Sequence, residues 1–253
     1  MFERGFWVIV SREIRRFLFL YKQTLLPSVI SSGLYIIVFG AAMGSRIGEI
    51  KGVEYIHFTI PGLVMMSVIN PAYQNSSSSI MQAKFLRFIE DILITPLSGL
   101  EISLSYIIGG CVRGVVNGAL VLLLGYFLTG LNVDNWFLTF IYLITVAWAF
   151  AGAGVIVGIY AKSWDSIMVI TNFFFMPLIF LGGVFYSIEM LPEFWRNFSM
   201  INPLYWMING LRYATLGIAE TSHMLSLGIS IFFAIIFSTL GSYMFAKGYR
   251  IKT

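Results

Sequence analysis

The residues of this chain best suited to polar chemistry in an apolar setting lie in one short run, NPAYQNSSSS, from Asn70 to Ser79. Asn70, Tyr73, Gln74 and Ser77 are spaced by three and four residues, so a helix would gather them on one face. Such polarity is expensive against lipid, and it marks either the wall of a polar pathway or hydrogen bonding between helices. The residues leave both readings open. Pro71 should bend the helix and free carbonyls that need partners. Asn172, inside a later apolar run, is a further candidate for the same wall.

Bond-making chemistry has no comparable foothold. One cysteine, Cys111, and two histidines, His57 and His223, supply no disulfide framework and no metal-ligand cluster. The chain has no GxxxxGK[ST], HExxH or GxSxG run, so it is expected to hold no cofactor and to hydrolyse no nucleotide. Its acidic residues fall in loops or at the ends of apolar runs. An ion-coupled carrier usually keeps an ionisable group inside the membrane, and a lipid-modifying membrane enzyme needs a nucleophile with a positioned base. These absences argue against both readings.

Two further stretches carry candidates. From Gln82 to Glu101 the pattern predicts an amphipathic helix, with Phe85, Phe88, Ile89 and Ile92 at helical spacing and Lys84, Arg87, Glu90 and Asp91 between them, ended at Thr95-Pro96. A solvated loop resting on the membrane is the competing reading. The second stretch, 176–213, starts in a membrane-grade apolar run, breaks at Gly182-Gly183, and continues with Glu189, Pro192, Glu193, Asn202 and Pro203. Proline in a first helical turn beside a carboxylate or amide predicts two short helices. Phe194, Trp195, Phe198, Tyr205, Trp206 and Tyr213 are of the kind that settle at a membrane interface, so the segment is expected to re-enter from outside as a lid.

The elements that must position these groups follow from composition. With 253 residues, 58% hydrophobic and only 11% charged, the chain falls in the polytopic membrane class. The fold expected is all-α, with six transmembrane helices at about 25–43, 59–80, 112–129, 136–160, 167–185 and 225–246. A cytoplasmic amphipathic helix over 1–22 precedes the transmembrane domain of 23–253, with Trp7, Val10, Ile14, Phe17, Leu18 and Tyr21 on its apolar face. Ser28, Ser31, Ser32, Gly33, Gly40, Ala41 and Ala42 make the first span a packing or subunit interface. Gly154 and Gly158 mark close packing, and Arg113 is expected to snorkel from an inner span end. Arg46 to Phe58 should be an outside loop. Arg4, Arg12, Arg15, Arg16, Lys22, Lys84, Arg87, Lys162, Lys247, Arg250 and Lys252 then stand on one side, against Arg46, Lys51, Arg196 and Arg212 on the other, which puts both termini in the cytoplasm. The positive charge sits at span ends instead of on one continuous face, so no nucleic-acid partner is expected.

The segments GGVFYSIEMLPEFW and INPLYWMINGLRY after a broken fifth span resemble the signature region of ABC-2 type exporter permeases, most closely the bacterial drug and lipooligosaccharide exporter group of the inner membrane. The resemblance implies a permease homodimer, in membrane lipid, paired with separately encoded ABC ATPase subunits that hold the ATP and Mg. It implies that the loop matching the acidic, leucine-rich TPL pattern, through Glu90, Asp91, Thr95, Pro96 and Leu97, docks on the ATPase. The shorter turn AKSWD, with Lys162 and Asp165, is by the same resemblance a second contact, and equally a plain connector. The implied substrate is amphipathic, lipidic, drug-like or a saccharide.

Overall fold

The computed structural model describes residues 2–248, without the side chains of residues 2, 3 and 45. Arg250 and Lys252 of the basic tail lie outside the described residues. The chain is helical almost throughout: α1 (Phe2–Phe19), α2 (Tyr21–Thr24), α3 (Leu26–Ile47), α4 (Tyr55–Phe85), α5 (Ile89–Leu93), α6 (Gly99–Thr129), α7 (Trp136–Tyr160), α8 (Trp164–Ile170), α9 (Met176–Leu181), α10 (Glu193–Ile201), α11 (Pro203–Leu216) and α12 (His223–Ala246). The all-α expectation needs one amendment. The expected loop 46–58 holds a small antiparallel hairpin, β1 (Glu49–Ile50) with β2 (Val53–Glu54), pairing Glu49 with Glu54 and Ile50 with Val53. Lys51 and Gly52 both take positive φ at its tip, the backbone that a two-residue hairpin turn requires.

Among the described residues, five segments are long and apolar enough to cross a membrane: Tyr21–Gly44, Gly99–Thr129, Trp136–Tyr160, Trp164–Leu181 and His223–Ala246. The helix that organises them is α4, whose 31 residues run without interruption through Pro61 and Pro71. It lies between α6 and α7, with α12 across those two and α3 and α11 along its flanks. Glycine makes the approach close. A Cβ at Gly154 would stand 2.4 Å from Tyr73 O, and one at Gly158 would stand 3.0 Å from Ser77 O. The GxxxG of α7 is therefore a packing seam against α4, as read from the sequence. Gly110, Gly114 and Gly118 of α6 do the same from the other side, against Ser76, Ala72 and Val68.

Several boundaries differ from the sequence reading. The second long helix begins at Tyr55 and ends at Phe85, longer than the expected 59–80 at both ends. The stretch 82–101 is not one helix. A turn with Arg87 at φ 60° separates α4 from the five residues of α5. The third long helix starts at Gly99, well before position 112, because Ser98 and Glu101 form a capping box: Glu101 N donates to Ser98 Oγ at 3.2 Å and Ser98 N to Glu101 Oε2 at 2.8 Å. Arg113 thus sits in the middle of α6 instead of near its end. The fifth run is α8, a π-helical turn at Thr171–Phe175, and α9. It breaks at Gly183, with φ 79°, as the Gly-Gly pair predicts. On α3, Ser32, Gly33 and Ile36 face inward, so part of the small-residue set packs within this chain and Ile30, Leu34 and Ile37 form the exposed apolar side.

Candidate functional site

Partly exposed positions of α4 fall at Met66, Asn70, Gln74 and Ser78, a four-residue spacing that makes one stripe. Beside it opens a cleft of about 200 Å³ between Ser28, Ser31, Ser32 and Tyr35 of α3, Ser67 and Asn70 of α4, and Met176. Asn70 Oδ1 is buried with no hydrogen-bond partner, and such an atom costs on the order of 1–3 kcal/mol until something satisfies it. The structure thus keeps Asn70 and Gln74 together and removes Tyr73 from their company. Tyr73 is fully buried, donates to Ile167 O at 3.3 Å and meets Phe175 edge-on. Ser77 Oγ donates to Tyr73 O at 2.8 Å. The α7 glycine seam draws this flank of the helix inward. Asn172 is exposed in the π-helical turn and does not line the cleft.

At the end of α4, Lys84 Nζ donates to Ile159 O at 2.8 Å, Ala161 O at 2.7 Å and Gly158 O at 3.3 Å. The first and last of these carbonyls lie in the final turn of α7, where the helix leaves acceptors unpaired and carries partial negative charge. Lys84 therefore locks the α4 end to the turn holding Lys162 and Asp165, both exposed. Across the 86–97 loop, Glu90, Asp91, Thr95 and Pro96 are exposed and Leu97 is half-buried. The apolar side chains divide differently from the helical spacing. Ile89 and Ile92 are buried in this chain's own core, with Phe88 packed against it, whereas Phe85 (71% exposed), Leu86 and Ile94 (83% exposed) project outward. The turn at Arg87 rotates the faces of the two half-helices relative to one another.

The lid candidates form a tight assembly. Asn202 caps α11 by accepting from Leu204 N at 3.0 Å, and its Nδ2 donates to Leu178 O at 2.6 Å. Pro203 occupies the first turn of α11, while Pro192 stands just before α10. Tyr205 is buried, Trp195 is half exposed, and Glu189 pairs with Lys51 of the hairpin at 2.8 Å. Arg212, expected in an outside loop, is fully buried: its guanidinium lies 3.8 Å over the Phe58 ring and donates to Gly183 O at 2.7 Å. Gly62 admits the Val184 backbone beside it, since a Cβ there would stand 2.7 Å from Val184 O. Arg212 and Gly62 together fix the Gly182-Gly183 break onto α4.

Sequence reasoning also missed Glu13. Its side chain is wholly buried where α1 meets α4 and α6, accepting from Ser79 Oγ at 2.7 Å and Arg12 at 2.9 Å, with Arg16 at 3.4 Å. Arg12 in turn stacks near Phe88 and Tyr106. Burial opposes its charge, yet Tyr106 and Glu13 hold its pKa above the usual value. The buried face of α1 is Ile9, Val10, Glu13 and Phe17, while Trp7 and Leu18 are exposed. The arginines at positions 12 and 16 were the available signal that a carboxylate between them is paired.

Comparison with known proteins bears on what this arrangement is for. A model of the ABC-2 type transporter family matches residues 4–216. The chain is 39% identical to an inner membrane transport permease, YadH, of Escherichia coli (strain K12) over 252 residues, covering 98% of each chain. It is 23% identical to nodulation protein J of Rhizobium leguminosarum bv. viciae, over 91% of this chain and 90% of that one. A family match across most of the chain, with identity of this extent end to end, makes this protein a member of the ABC-2 type transporter family, a membrane transport permease.

Proposed function

We propose that this chain is the permease subunit of an ATP-driven exporter in the bacterial inner membrane, with both termini cytoplasmic and a second copy of itself as partner. Six crossings are formed by α2–α3, α4, α6, α7, α8–α9 and α12. Hydropathy undervalues α4 because most of its polar half is packed against neighbouring helices, where Tyr73, Ser76 and Ser79 find partners, instead of facing lipid. ATP and Mg belong to a separate ABC ATPase, and the substrate, amphipathic, lipidic, drug-like or saccharide, moves along the Asn70–Gln74 stripe. α10 and α11 form a re-entrant cap at the outer end. The Asn70–Gln74 stripe carries no carboxylate, which favours an external energy source over ion coupling.

The observation that supports this reading most is the continuity of α4. One uninterrupted helix carries the stripe and ends at a loop where Phe85, Leu86 and Ile94 are exposed beside Glu90 and Asp91. Exposed apolar anchors flanked by acids suit a groove on a partner, and a push there reaches the stripe through a rigid rod. Central apolar anchors each contribute on the order of 2 kcal/mol. Phe85→Ala and Ile94→Ala should therefore reduce co-purification of the ATPase subunit, and Glu90→Lys with Asp91→Lys should uncouple hydrolysis from transport. Glu189→Lys, on the opposite end, should leave ATPase binding unchanged. Loop variants that bind and hydrolyse as the parent does would remove the coupling role from this loop.

A further inference from the structure

The arginines of α1 exceed what setting an orientation requires. Arg12, Arg15 and Arg16 line a groove of about 750 Å³, bounded by Val8 at one end and by Phe19 and Leu20 at the other. Arg113 stands in the middle of α6. The carboxylate in their midst is Glu13, already engaged by Ser79, Arg12 and Arg16. Arg12 and Arg16 thus share one buried acid, and Arg15 is exposed beside them. The Nε atoms of Arg16 and Arg113 are buried with no hydrogen-bond partner. One carboxylate leaves the three groove arginines with a surplus of positive charge, and a guanidinium presents its donors as a fork suited to phosphate or carboxylate.

The groove also has a direction. Arg16 donates to Asn75 O at 2.9 Å and approaches Gln82 Oε1 at 3.5 Å. Gln82 is the position four residues after Ser78, so the basic groove opens where the polar stripe of α4 ends. Val8 and Phe19 are largely exposed on either side of the arginines, giving apolar ground for a tail next to cationic ground for a head.

We propose that this groove loads the transported compound and selects an amphiphile with a phosphate-bearing anionic head, held by Arg12, Arg15 and Arg16. The assignment rests on the stripe being the transport path, and it names the substrate class of that path. In neutral detergent, native mass spectrometry of the full-length protein with dioleoyl phosphatidic acid against dioleoyl phosphatidylcholine measures the selection without any ATPase. The parent should prefer the phosphatidic acid, and Arg15→Gln with Arg16→Gln should reduce that preference by roughly tenfold or more, as expected for lost charge-assisted bonds. Arg15 is exposed, so Arg15→Gln alone tests the groove with little risk to folding and should also reduce it.

The charge-matched pair Arg4→Gln with Lys22→Gln should retain the preference. Equal loss in that pair means diffuse attraction and overturns the proposal, as does a parent with no preference. Displacement of the lipid by an equal concentration of inorganic phosphate would reduce the groove to a simple anion site and overturn the amphiphile assignment. Failure of the transport-path reading is separately visible: Asn70→Leu with Gln74→Leu would leave transport intact while lipid selection persists.

Discussion

Replacing Lys84 by methionine should separate the end of α4 from the turn after α7. Its ammonium satisfies the carbonyls of Gly158, Ile159 and Ala161 at 3.3, 2.8 and 2.7 Å. A hydrogen bond to a charged group contributes about 1.5–3 kcal/mol, and a cation at a helix C-terminus about 0.3–2 kcal/mol. One ammonium serves all three acceptors, so the terms do not add, and we expect Lys84→Met to destabilise by about 2–3 kcal/mol. Methionine keeps most of the stem's packing, so the loss reports the charge and its bonds. Lys84→Arg should lose less, because the charge survives while the compact three-donor head does not. Equilibrium unfolding in mixed micelles gives the energy. Thiol labelling of Lys162→Cys, in a background lacking Cys111, reports whether the turn after α7 loosens. The reasoning fails if Lys84→Met unfolds within about 0.5 kcal/mol of the parent, the scatter expected of an inconsequential surface change.

Arg212→Met removes the donor to Gly183 O and the stacking over Phe58, so Ser187→Cys, now buried, should become reactive to thiol reagents in that background; unchanged protection would show that Gly62 alone holds the break. For topology, Ser98→Cys and Asn197→Cys are both exposed positions, and an impermeant reagent on intact cells should label the second and not the first; the reverse pattern inverts the protein. Leu34→Cys, on the exposed side of α3, should cross-link to its copy in membranes, and an active complex with a single permease would end the homodimer reading.

The apolar runs, the Gly182-Gly183 break and the caps at Asn202-Pro203 were legible from residue types, because each depends on local backbone preference or on transfer of a continuous segment out of water. Length and hydropathy alone also placed α7 to the residue. The capping box at Ser98 and Glu101 was equally local and was overlooked, which is why α6 began too late. The anchors of the 86–97 loop were not legible. Helical spacing groups Phe85 with Phe88 and Ile92, but the turn at Arg87 puts Phe85 outside and Ile92 in the core.

The division falls along the range of the forces. What this sequence determined by itself is where the apolar runs lie and where local signals such as the Gly182-Gly183 pair interrupt them, since those energies sum over neighbouring residues. What only tertiary structure decided is which polar groups meet: Glu13 with Ser79 across 66 positions, Lys84 with Ile159 across 75, Arg212 with Gly183 across 29. A buried charge survives only beside a specific partner, and partners that far apart in the chain are chosen by the packing of α4 between α6 and α7. The glycines that permit that packing are visible in the sequence, but the neighbour each one admits is not.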